Sequence, residues 1–235
     1  MIDFHVYIGH GPGLGISGGM LPAEAMACAK QAGYQALGLI LRTDGSNLYG
    51  LSTLEHLAGQ IDQLAIYLDI QAILGVELVN VPSALLPQRV EQARRAGAKL
   101  VLVQGDTPGG LPGVNAAFSA VEACADIISN PGLIDEPSAA FAAERSVALE
   151  ISGNPQQAFC NAHVAKMAEK CGCPLITGGG IRNPHDILTR QGWDYICKGA
   201  NINLELMNKI QQDCRMLLNR LSGRSSTAPC SKPNL

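Results

Sequence analysis

The sequence predicts an α/β fold: a distorted seven-stranded (β/α)7 barrel, TIM-like in architecture. Three observations carry this expectation. Short apolar runs alternate with amphipathic helical stretches at intervals of about 25–35 residues, the rhythm of parallel βα units. Hydrophobic residues make up 47% of the 235-residue chain and charged residues 16%, a balance suited to a sheet buried on both faces. Seven strand-like runs occur and no strong eighth follows, one short of the usual closed barrel.

The first unit is IDFHVYI, followed by a Gly-rich loop from Gly9 to Gly19. LPAEAMACAKQAGY then reads as a helix, with Pro22 in its first turn and Gly33 closing it. ALGLIL is strand two, and residues 51–68 form a helix. DIQAILGVEL is strand three, LPQRVEQARRAGA a helix ending at Gly97, and KLVLVQ strand four. VNAAFSAVEACA is helical before DIIS, a short strand five. PSAAFAAERS is helical before VALEIS, strand six, and NAHVAKMAEKCG is helical before PLIT, strand seven. From Pro184 onward the chain is mostly helical. Residues 1–221 are expected to form a single domain. Residues 222–235, SGRSSTAPCSKPNL without its surroundings, read as a flexible C-terminal tail.

Bulk properties exclude several functions. A net charge of −3 gives no electrostatic footprint for nucleic acid. No apolar run reaches the roughly 18 residues of a membrane span. The opening MIDFHVYIGHG has no basic leader segment, so a cytoplasmic location is expected. The eight cysteines are scattered, as reduced thiols would be. Cys171-Gly172-Cys173 reads as small residues at a helix end, with Gly172 as the stop. Trp193 is expected to pack, and His163 to be structural. Cys160 lies near His163, but nothing in the sequence lowers its pKa.

In a parallel barrel the active site is built at the strand ends. Here those ends are His5 and Tyr7, Leu41-Arg42, Glu77, Gln104, Asn130, Glu150 and Gly180-Ile181-Arg182. Together with GVELVNVP, VLVQGDT, ADIISNPGLI, ALEISGNP, NAHVAKMAEK and GIRNPHDI, they resemble the PHP (polymerase and histidinol phosphatase) superfamily over about residues 1–210. The likeness is to its stand-alone histidinol-phosphatase-like prokaryotic members. It implies a distorted seven-stranded barrel. In active members it also implies two or three metal ions held by His, Asp and Glu, with hydrolysis of phosphate esters.

Carried over residue by residue, the metal set fails. The His-x-His of strand one reads His5-x-Tyr7, and the Asp-His of strand two reads Leu41-Arg42. Glu77 is retained. The histidines of strands four and five are Gln104 and Asn130, and the closing Asp-x-His reads Gly180-Ile181-Arg182. Amides are weak ligands for transition metals, and a guanidinium repels a cation. Two surviving ligands cannot supply a metal-bound hydroxide. The site is therefore expected to be degenerate, with no metal and no cofactor.

The replacements can make an anion site instead. Arg42 and Arg182 would clamp a phosphate, sulfonate or carboxylate. Gln104 and Asn130 would add hydrogen bonds. His5, Tyr7 and Glu77 would handle protons, although Glu77 reads equally well as a structural ion-pair partner. Gly178, Gly179 and Gly180 would bring backbone N–H groups to an anion, or form a tight turn where a ligand was lost. WDYICKGANI resembles a further strand by itself, but the PHP likeness makes it helical. The expected function is binding or conversion of a small anionic metabolite without a metal cluster. The alternatives are a non-catalytic pseudoenzyme, as a homodimer or a subunit with a protein partner, and a residual phosphoesterase with one ion on His5 and Glu77.

Overall fold

The computed structural model describes residues 1–9, 19–44, 54–106 and 116–223. Most of the Gly-rich loop, the side chain of Asp44 and the tail beyond residue 223 lie outside them. The elements in order are β1 (Ile2–Tyr7), α1 (Pro22–Gln31), β2 (Ala36–Asp44), α2 (Leu54–Leu68), β3 (Gln71–Val79), α3 (Leu86–Arg95), β4 (Leu100–Gln104), α4 (Ala116–Glu122), β5 (Ile127–Ser129), α5 (Glu136–Glu144), β6 (Ala148–Ser152), α6 (Asn161–Cys171), β7 (Leu175–Gly178), α7 (Arg190–Gly199) and α8 (Leu204–Ser222). The strands form one seven-stranded sheet in chain order, all pairs parallel. This is the expected (β/α)7 TIM-like barrel.

Local chemistry sets the helix ends. Pro22 stands in the first turn of α1, where a missing N–H costs nothing. Asp135 caps α5 by accepting from the Ser138 amide at 3.0 Å, and Asn203 caps α8 by accepting from the Leu206 amide at 2.8 Å. Gly172 ends α6 in the left-handed region at φ +77°, as its place between the two cysteines suggests. Residues 190–199 are helical as α7, which settles WDYICKGANI against a strand. Trp193 packs in the core, and its indole N–H donates to Tyr34 Oη at 2.8 Å.

One strand is longer than its apolar run. β2 continues through Arg42, Thr43 and Asp44, paired with Glu77, Leu78 and Val79 of β3. The cross-strand Arg42–Glu77 pair supplies there what hydrophobic burial supplies further back.

The ring closes between β7 and β1 by few contacts. Val6 and Ile181 form an isolated parallel bridge. The Tyr7 amide donates to Ile181 O at 2.8 Å, and the Ile181 amide donates to His5 O at 3.1 Å. Nearer the strand starts, Thr177 Oγ1 donates to Ile2 O at 2.7 Å. Helix α8 covers this side, anchored where Asp213 accepts from the Leu175 amide at 2.9 Å.

Candidate functional site

Alternation along β1 puts Asp3, His5 and Tyr7 at period-two positions, and all three are buried. They meet Glu77 from β3, Ser129 from the end of β5, and Glu150 from β6. His5 lies between two carboxylates. Its Nδ1 is 2.9 Å from Glu150 Oε1, and its Nε2 is 3.5 Å from Glu77 Oε1. Tyr7 Oη donates to Glu77 Oε2 at 2.7 Å, and Ser129 Oγ donates to Glu77 Oε1 at 2.7 Å. Glu150 Oε2 accepts from the Asn130 amide at 3.0 Å.

The two arginines reach this cluster from separate strand ends. Arg42 Nε lies 3.4 Å from Glu77 Oε2, as its direct register opposite Glu77 dictates. The Arg182 guanidinium carbon lies 4.0 Å from the centre of the Tyr7 ring, a cation–π contact. Asn130 grips Glu150 through its backbone, while its side-chain oxygen is 3.4 Å from Ser152 Oγ. Gln104 is half-buried at the end of β4, in register with Ser129.

The glycine run serves the protein's own anions. The Gly179 amide donates to both Asp3 carboxylate oxygens, at 2.9 and 3.0 Å. A side chain on Gly178 would collide with Glu150. Gly180 takes φ +61°, which a β-branched residue would resist. These glycines are therefore committed to close packing against Asp3 and Glu150, and the Gly179 N–H already has its carboxylate.

The environment fixes protonation states. Burial pushes the Glu77 carboxyl up, but the His5 charge, with hydrogen bonds from Tyr7 and Ser129, outweighs it and holds Glu77 down at about 2. Burial opposes charge on His5, yet Tyr7, Glu150 and Glu77 raise its pKa well above the ordinary range. Burial, then the Glu77 charge, raises Tyr7, which stays a neutral donor. Burial lifts Asp3 to about 6, against the pull of the Gly179 and His5 amides.

These shifts predict the acid limb of stability. Glu77's contribution is complete above its ordinary 4.5 and is lost as pH falls from there through about 2. Asp3 has the opposite sign: its contribution is present in acid and lost as pH rises from 3.8 through about 6. Denaturant midpoints measured across this range should show Glu77→Gln flattening the limb below 4.5 and Asp3→Asn flattening the limb above 3.8. Identical profiles for wild type and both variants would refute the assignment.

A two- or three-ion cluster does not fit these residues. Among the described residues, no group of three or more His, Cys, Asp or Glu side chains is arranged to hold a metal ion. His5 Nε2 is buried without a hydrogen-bond partner, but it faces Glu77 beside the Arg42 cation. With Glu150 engaged by His5 and the Asn130 amide, and Asp3 by the Gly179 amide, the donors left beside the Arg42 guanidinium lack the number and the charge to encage several ions.

The remaining sequence candidates fall outside the cluster. His163 Nε2 is 2.8 Å from Ile134 O, a structural link. Burial raises the Cys160 thiol, the reverse of what a nucleophile needs. Asp3 and Ser129 complete the cluster and were absent from the sequence-derived site, while Glu150, read there only as a strand end, joins it through His5. The Asp-x-His-x-Tyr spacing in β1 is the signal that points to Asp3.

The fold is that of a TIM-like barrel, and the charges at its strand ends are paired internally. No family model matches the chain. An uncharacterized protein of Methanocaldococcus jannaschii is 26% identical over 224 residues, spanning 93% of this chain and 99% of that protein. A chain of archaeal ribonuclease P, solved by cryo-EM with mature tRNA, aligns at TM-score 0.63 and 15% identity, covering 100% of both chains. The histidinol phosphate phosphatase of Lactococcus lactis, crystallised with zinc, L-histidinol and phosphate, aligns at TM-score 0.58 and 13% identity, covering 86% of this chain and 94% of that one. At these identities the structural likeness is one of fold.

Proposed function

We propose that this chain is a divergent relative of the PHP superfamily that binds a small anionic metabolite without a metal cluster. The supporting observation is that Arg42 and Arg182, from separate strand ends, both meet the Tyr7–Glu77 pair. Arg42 remains about a third exposed, at 34%, while Glu77 and Glu150 are buried beneath. Cationic groups therefore line the mouth and the carboxylates lie below it. A phosphate, sulfonate or carboxylate at this mouth would gain charge-assisted, forked hydrogen bonds.

Binding is favoured over conversion. A general acid or base works best with a pKa near the operating pH. Glu77 is held at about 2, while His5 and Tyr7 are both raised, so none of the three is poised to exchange a proton near neutrality. Thermal unfolding in inorganic phosphate tests the reading. Phosphate should raise the Tm of the wild type, and Arg42→Gln with Arg182→Gln should abolish the shift. An equal shift in both proteins would overturn it.

A second reading, a non-catalytic subunit of a larger assembly, is favoured by Leu133 and Phe159. They are 72% and 64% exposed on neighbouring strand-end connections. The likeness to a chain of ribonuclease P, itself an assembly with RNA, points the same way. Native mass spectrometry of the protein from its own host discriminates: a stoichiometric heteromer supports this reading, and a monomer removes it.

A further inference from the structure

Among the described residues no strand fills the gap between β7 and β1, and a cavity of about 310 Å³ lies at that seam. We propose that this cavity is a binding site for a small amphipathic carboxylate, separate from the strand-end cluster. It lies between Ile2 of β1, Thr177 of β7 and the facing sides of α7 and α8. Its volume is in the range of small-molecule sites, which run from roughly 300 to 1,000 Å³.

The floor is apolar. Trp193, Cys197, Ile210 and Cys214 are buried there. The Trp193 N–H is taken by Tyr34, and the Thr177 hydroxyl donates to Ile2 O, so these residues offer the cavity mainly carbon. Burial raises both thiols, Cys214 to about 11, so they stay neutral and behave as small apolar groups.

The rim is cationic. Arg190 and Arg215 line the opening on exposed helix positions, with Asp194 as the acid beside them. Among the described residues neither arginine enters an ion pair. Arg215 is steered by hydrogen bonds from its Nε to Gln211 O at 3.1 Å and from its Nη2 to Gln211 Oε1 at 3.5 Å. Two guanidinium groups outnumber the one carboxylate, and the Met1 amine, whose pKa burial and these arginines lower, adds to the positive side. A net positive rim suits an anionic head, and the guanidinium fork suits a carboxylate. The apolar floor takes the tail.

Isothermal titration of the full chain with octanoate tests this, with octanamide as the uncharged probe. Octanoate should bind about tenfold or more tightly than octanamide, the worth of a charge-assisted contact. Arg190→Gln with Arg215→Gln should bring octanoate down to the octanamide level. Arg42→Gln with Arg182→Gln should leave octanoate binding unchanged, which separates this site from the phosphate-binding mouth. The proposal is overturned if octanoate does not bind, if both probes bind alike, if the first pair of changes has no effect, or if the second pair abolishes binding.

Discussion

Glu77→Ala is expected to cost about 3–5 kcal/mol of folding stability, because it breaks a buried charge cluster from one side. The carboxylate is 1% exposed and holds four groups together: Tyr7 Oη, Ser129 Oγ, His5 Nε2 and Arg42 Nε. Its removal leaves two buried hydroxyls without their acceptor, and His5 then faces Glu150 alone. The loss should appear as a lower urea midpoint with little change in slope. Glu77→Gln keeps an acceptor oxygen and a similar volume, so its cost should be smaller. A Glu77→Ala loss below about 1 kcal/mol, the worth of an exposed ion pair, would sink the idea of a single coupled cluster.

Gly178→Ala is the second large effect, expected at about 3 kcal/mol from overpacking with loss of buried hydrogen bonds. An added Cβ would sit 2.0 Å from Glu150 Oε1 and 2.6 Å from its Cδ. Glu150 cannot simply swing aside. It is fully buried and held by His5 Nδ1 at 2.9 Å and the Asn130 amide at 3.0 Å. The methyl must therefore displace Glu150 or push β7 outward. Gly59→Ala is the matched control. It lies exposed in α2 with nothing within 4 Å of the new Cβ. There the better helix propensity of alanine should add about 0.5–1 kcal/mol. Denaturation curves for both variants check the pair, and equal effects would refute the steric account.

The barrel was legible because every strand is buried on both faces and so leaves a short apolar run. The helices between them carry ordinary start and stop residues, such as Pro22 and Gly172. β2 was read short because its last residues are polar and are held by pairing with β3, which no hydrophobic pattern records. That Arg42 and Arg182 each reach the Tyr7–Glu77 pair follows from their places at strand ends. The partners of Glu77 and His5 were less legible. Ser129 enters through packing between strands distant in sequence, and a serine in a strand carries no mark of which face it takes until the register is known; Glu150 was marked as a strand end, but its bond to His5 was not. The glycines misled for a related reason. Backbone freedom at Gly178–Gly180 signals close approach, but sequence does not say to what, and here the groups approached are Asp3 and Glu150.

The few contacts that join β7 to β1 have one more consequence. Apart from the Thr177–Ile2 bond near the strand starts, they are made by His5 O, Ile181, the Tyr7 amide and the Asp3 carboxylate on Gly179, which belong to or adjoin the strand-end cluster. The clasp of the ring and the proposed binding mouth are thus one piece of structure. A ligand that tightens Tyr7 and Arg182 would also fasten the two ends of the sheet, and a chain whose clasp is cut would lose its site and its circular shape together.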